Sequence, residues 1–114
     1  MTFDEAVAYA LTLPDTELST SYGKPAVKIA SNARAFLFTG HEQETSFGIA
    51  IDLDTKEMLM ETDPATFWET PHYANYPAVL IRYDSPDPEH VKDTIERSRD
   101  WVAAKPKPRP RKQK

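Results

Sequence analysis

From Leu18 to Asp52, apolar residues recur at every second position in four short runs, separated by gaps of only three to six residues. Period two sends alternate side chains to opposite faces of an extended chain, so each run reads as a half-buried strand. Connections this short cannot house a crossover helix, which leaves antiparallel pairing as the way to join neighbours. The runs Leu18–Tyr22, Ala26–Ala30, Arg34–Thr39 and Ser46–Asp52 therefore predict a meander. Gly23-Lys24-Pro25 and Ser31-Asn32-Ala33 supply tight turns, and Gly40–Thr45 a longer polar loop. A fifth run, Ala78–Tyr83, is the clearest strand of all. It follows a loop from Glu69 to Pro77 that is crowded with prolines, tyrosines and a histidine.

Helical signals flank the strands. Thr2 and Glu5 have the spacing of a capping box, and Phe3, Ala6, Val7, Ala10 and Leu11 share a helical face, so a helix is expected over Phe3–Leu13, stopped by Pro14. Asp54 reads as the cap of a short helix carrying Met58 and Leu59. Asp63-Pro64 reads as a restarted helical turn presenting Phe67 and Trp68. Asp87-Pro88 opens a last helix, with Val91, Thr94, Ile95, Ser98, Trp101 and Val102 as its buried stripe and an end near Ala104. The expected fold class is α+β: a mainly antiparallel sheet of about five strands covered by N- and C-terminal helices. Residues 1–104 form one domain, and residues 105–114 form a basic, proline-rich tail expected to be disordered.

The strand phases divide the sheet into two faces. Val27, Ile29, Phe36, Phe38, Phe47, Ile49, Ile51, Val79 and Ile81 are expected to meet the helices. The opposite face then shows Ala26, Lys28, Ala30, Leu37, Thr39, Gly48, Ala50, Asp52, Ala78, Leu80 and Arg82. Such a stretch of small residues lets a partner or a second copy approach closely.

Charge is unevenly distributed. Residues 1–104 hold eight Lys and Arg against all eighteen Asp and Glu, a net of −10, whereas the tail holds six basic residues and no acid. The tail attracts polyanions, while the acidic body repels them except at a segregated basic patch. With no cysteine, there are no disulfides or thiolate metal sites. The absence of a signal-peptide pattern or long apolar run makes the cytoplasm the expected location.

No stretch carries catalytic chemistry on its face. His41, His72 and His90 lack metal-ligand spacing, no nucleophile elbow or phosphate loop occurs, and the expectation is a non-enzymatic protein without metal or cofactor. Two groups remain as binding candidates. Trp68, His72, Tyr73, Tyr76 and Arg82 surround the aromatic loop, where rings with polar tips suit a ligand or partner surface. Lys24 and Lys28, the close basic pair of the body free of acidic neighbours in sequence, and Lys105, Lys107, Arg109, Arg111, Lys112 and Lys114 of the tail are suited to DNA.

Several segments, in order, carry a resemblance. Leu13-Pro14 ends the first helix, Tyr22-Gly23-Lys24-Pro25 precedes Ala26-Val27-Lys28-Ile29, and Phe36–Phe38 follows. Then come Asp63-Pro64-Ala65-Thr66-Phe67, Pro71-His72-Tyr73, Tyr76-Pro77-Ala78-Val79-Leu80-Ile81 and the closing Trp101-Val102. Across residues 3–103 this resembles the MmcQ/YjbR-like family of small bacterial proteins. The resemblance implies a two-layer sandwich similar to type III secretion chaperones and frataxin-like proteins. It also implies DNA binding, the family's usual label, here weak and salt-dependent through the tail and the Tyr22–Lys28 turn. The alternative is a chaperone-like interaction module, dimeric or bound to another protein through the small-residue sheet face.

Overall fold

The computed structural model describes residues 1–107. Thr2 caps helix α1 (Phe3–Ala10) as its spacing requires: Thr2 Oγ1 accepts from the Glu5 N–H at 3.2 Å, and Glu5 Oε1 accepts from the Thr2 N–H at 2.8 Å. The helix ends three residues before the expected Leu13. Thr12 and Leu13 donate to Tyr9 and Ala10 instead, the tighter i→i+3 bonding common at helix ends, ahead of Pro14.

Five strands follow the expected order: β1 (Thr16–Ser21), β2 (Lys24–Ile29), β3 (Ala35–Phe38), β4 (Ser46–Ala50) and, after an interruption, β6 (Ala78–Arg82). A sixth, β5 (Phe67–Trp68), lies where a helical turn was expected. Proline at position 64 opens only a short turn there. Thr66 and Phe67 both donate to Asp63 O, and the chain then pairs with β6. The sheet is antiparallel throughout, in the order β1-β2-β3-β4-β6-β5.

Two local features alter the expected phases. Ser21 pairs with Lys24, so the first turn is Tyr22-Gly23 with φ of 53° and 79°, and Lys24-Pro25 already belongs to β2. Two left-handed residues in a two-residue hairpin loop match the right-handed strand twist, which suits Gly23 and forces Tyr22 into an uncommon conformation. On β3 the pairs Ala26↔Phe38 and Val27↔Leu37 are followed by Lys28↔Ala35, leaving Phe36 as the extra residue of a bulge. Phe36 and Leu37 are therefore both buried among the residues facing the helices, and Phe38 turns to the other face. This reverses the expected positions of Leu37 and Phe38.

Helix α2 (Leu53–Thr62) is capped by Asp52, not Asp54. The Asp52 Oδ2 accepts from the Thr55 N–H at 3.0 Å and from Thr55 Oγ1 at 2.9 Å. Asp52 thus belongs to the helix start and not to the open sheet face. Burial raises the Asp52 pKa, but these bonds outweigh it and hold the carboxyl below its ordinary value. Asp87 caps helix α3 (Pro88–Ala103), with proline at the start, and Val91, Thr94, Ile95, Ser98 and Val102 are buried as expected.

All three helices contribute to one core. Ala6, Ala10, Leu59, Val91, Ile95 and Val102 pack with Val27, Ile29, Phe36, Leu37, Phe47, Ile49, Ile51, Phe67, Val79 and Ile81. A smaller cluster lies on the reverse of the sheet, formed by Tyr73, Ala78 and Leu80 with Phe38 and Trp68. Among the described residues, no helix is long and apolar enough to cross a membrane.

Candidate functional site

The reverse face of the sheet is built by register. Leu18, Val27, Leu37, Ile49, Val79, Ile81 and Phe67 oppose one another on the helix side; Ala26, Phe38, Gly48, Leu80 and Trp68 oppose one another on the reverse. Strand alternation adds Lys24 and Lys28 of β2 and Arg82 of β6 to the reverse face.

The small residues there accommodate the chain's own rings. A Cβ on Gly48 would lie 2.5 Å from Phe38 Cε2, and one on Gly40 would lie 2.4 Å from Tyr73 Oη, so glycine makes room at both points. Ala26, Gly48 and Ala78 are buried. The small-residue surface expected to be open for a partner is in this way occupied by Phe38 and Tyr73.

Tyr73 reaches the sheet because the loop before β6 is held down from behind. Lys56 of α2 is only 2% exposed, and its Nζ donates to Tyr73 O at 2.6 Å and Tyr76 O at 2.8 Å while pairing with Glu69 Oε1 at 2.7 Å. These three partners match the three donors of an ammonium group. Lys56 was not among the candidate residues named from the sequence. The available signal was its position three residues before buried Leu59, on the same helical face.

The aromatic-loop candidates divide into two groups. Trp68 and Arg82 meet: the guanidinium lies 4.5 Å from the indole centroid, and the indole Nε1 donates to Ser46 Oγ at 3.0 Å. They line a groove of about 360 Å³ with Glu44, Thr45, Tyr83 and Asp84. His72, Tyr73 and Tyr76 gather elsewhere, with His72 edge-on to both His41 and Tyr73. Tyr73 is a buried plug, and burial, with the nearby Glu42 charge, pushes its phenol pKa up. Tyr76 remains 57% exposed.

The basic candidates share the reverse face. Lys24, Lys28 and Arg82 are half-buried, and none forms an ion pair among the described residues, where the lysines and arginines that do are Lys56, Lys92 and Arg99. Glu17 stands opposite Lys28 in the ladder but does not close a salt bridge. Acids concentrate on the helices: Asp4 and Glu5 on α1, Asp54, Glu57 and Glu61 on α2, and Glu89, Asp93, Glu96 and Asp100 on α3. At the hairpin tip beside Lys24, Tyr22 is fully exposed.

The first residues after the last helix contact the body. Asn32 Nδ2 donates to Val102 O at 2.9 Å and Lys105 O at 3.0 Å, and Arg34 Nε donates to Pro106 O at 2.7 Å. Lys105 Nζ sits 3.9 Å from the Trp101 ring centroid. Arg109, Arg111, Lys112 and Lys114 lie outside the described residues.

No family model matches the sequence, and no curated protein matches it. Among solved structures, the crystal structure of Deinococcus radiodurans protein DR2400, a DUF419 domain, has a TM-score of 0.73 at 18% identity, covering 91% of this chain and 80% of that one. DUF419 is part of the MmcQ/YjbR-like family. The likeness is one of fold: an α+β sandwich with a six-stranded antiparallel sheet and three helices.

Proposed function

We propose that this chain is a MmcQ/YjbR-like, non-enzymatic protein that binds nucleic acid weakly and without sequence preference, through the reverse sheet face and the basic C-terminal segment. The observation that supports this most is the common face of Lys24, Lys28 and Arg82, unpaired and turned away from the acidic helices. Net charge of −10 over residues 1–104 would defeat binding by a uniformly charged body, and the partial segregation of these cations, which share their surroundings with Glu17, Glu44 and Asp84, is what makes weak, salt-sensitive anion binding tenable. Tyr22 adds an exposed ring beside Lys24, suited to stacking on an unpaired base. The six basic residues from Lys105 to Lys114 add a sequence-blind electrostatic term.

The test is fluorescence anisotropy with labelled duplex and single-stranded DNA of unrelated sequences. Full-length protein, a chain ending at Lys107 and a Lys24→Ala/Lys28→Ala/Arg82→Ala variant are compared. The reading expects weaker binding in both altered proteins and equal affinity across sequences. Full-length protein that binds neither DNA at low salt would overturn it.

A further inference from the structure

The two edges of the sheet are unlike. β5 is two residues long, and a short edge offers little to pair with. β1 runs for six residues, Thr16–Ser21, and contains no lysine, proline or bulge to discourage pairing. Its backbone phase follows from the hairpin. A two-residue turn makes Ser21 and Lys24 a pair that exchanges both hydrogen bonds, and the Ala30 N–H donating to Asp15 O at 2.8 Å keeps the same phase at the far end. Asp15, Glu17, Ser19 and Ser21 therefore turn their N–H and C=O groups towards β2, while Thr16, Leu18 and Thr20 turn theirs outward. Among the described residues, no other segment bonds to those outward groups. Leu18, opposite Val27 on the helix side, is left 59% exposed.

We propose that β1 is the docking edge for a second copy of this chain, paired antiparallel about a two-fold axis at Leu18. In that register Leu18 faces Leu18 of the other copy, Thr16 faces Thr20, and all the outward backbone groups are used. On the reverse face Glu17 meets Ser19, so no charge stands directly against its like, and Lys28 on the adjacent strand stays beside Glu17. The neighbouring registers are poorer. Sliding one way sets Glu17 against Glu17, and sliding the other sets Thr16 against Tyr22, which has already turned out of the strand. The strand is thus self-complementary in one alignment. Joining two six-stranded sheets along it produces one continuous sheet, with Lys24, Lys28 and Arg82 of both copies on the same side. Any use of that doubled basic face rests on the proposed nucleic-acid reading; the pairing itself does not.

The natural absence of cysteine makes the register testable in the full-length protein. Leu18→Cys places two thiols on directly opposed residues, whose Cα separation of about 5.5 Å lies within disulfide range. Tyr22→Cys is the control: it is more exposed, but opposes residue 14 in this register. Under mild oxidation Leu18→Cys should form covalent dimer about tenfold faster than Tyr22→Cys, through the higher local concentration of its thiols. In sedimentation equilibrium the unmodified protein should rise from 12.9 kDa towards twice that mass with concentration, and Leu18→Lys should stay at the lower value with its thermal unfolding intact. Equal oxidation rates, a wild type that remains monomeric, or a dimer that survives Leu18→Lys would each overturn the proposal. A chain ending at Lys107 that dimerises while the full-length protein does not would identify the C-terminal segment as the occupant of this edge instead.

Discussion

Replacing Lys56 with methionine removes the ammonium group but keeps a stem of similar length, so the cavity term stays small. What remains is the cost of the abandoned partners. Tyr73 O and Tyr76 O lose donors at 2.6 and 2.8 Å but keep the Tyr76 and Ala78 N–H groups, so neither is orphaned and each lost hydrogen bond costs about 0.5–1.5 kcal/mol. Glu69 loses its counter-ion at 2.7 Å, but its side chain is 33% exposed, so water recovers much of that interaction and its share is discounted towards the 0–1 kcal/mol typical of exposed pairs. The sum is a loss of about 1–4 kcal/mol for Lys56→Met, a sizeable part of the ~5–15 kcal/mol stability of an ordinary domain. Glu69→Gln, which leaves Lys56 with both carbonyls, should cost about 1 kcal/mol or less. Urea unfolding followed by tryptophan fluorescence and circular dichroism measures both. A Lys56→Met loss below about 1 kcal/mol would refute the reasoning, because the loop before β6 would then be held by Tyr73 packing alone.

Ile49→Ala, at a fully buried position of β4, should cost about 2–5 kcal/mol in the same assay. Asp52→Ala should cost about 1 kcal/mol through the lost α2 cap, whereas Asp54→Ala should change little; the reverse order would return the cap to Asp54. Because the Asp52 pKa is lowered in the folded state, its stabilisation is present above the unfolded carboxylate value and fades as pH falls through the folded one, a slope that Asp52→Asn should reduce. The hydrogen bond to Glu96, aided by burial, pushes the Tyr9 phenol up to about 12, so ultraviolet titration should show Tyr9 ionising near that value, and Glu96→Gln should lower it. This contribution to stability is complete below the unfolded tyrosine value and is lost as pH rises through the folded one.

Much of the fold was legible because period and capping are local. The phases of β2, β4 and β6, the Thr2 and Asp87 caps, and the α3 stripe all follow from residues within a few positions of one another. The misplacements have physical causes. On β3, the bulge at Phe36 shifts the alternation by one residue, and no local pattern announces it. Asp63-Pro64 has the form of a helix start, but pairing with β6 draws Phe67 and Trp68 into the sheet, a tertiary preference overriding a local one. The candidate site was harder to read. Tyr73 looked like a surface aromatic because its burial depends on Lys56, a residue whose type argues for solvent and whose partners lie in another segment. Lys28 and Arg82 were expected on one face from strand phase alone, but Lys24 was read as part of the turn, and only its pairing with Ser21 puts it on β2 beside them.

The salt dependence of DNA affinity tests the central claim most directly. Each neutralised duplex phosphate adds about 0.9 to the magnitude of the slope of log K against log salt concentration. Removing residues 108–114 deletes Arg109, Arg111, Lys112 and Lys114. If all four contact phosphate, the slope should flatten by about 3–4, and by about 2–3 more in the Lys24→Ala/Lys28→Ala/Arg82→Ala background. Both decrements, measured with duplex DNA between about 50 and 200 mM salt, are the result predicted for a basic sheet face and tail acting together. A slope that does not change when Lys24, Lys28 and Arg82 are replaced would contradict the assignment of that face.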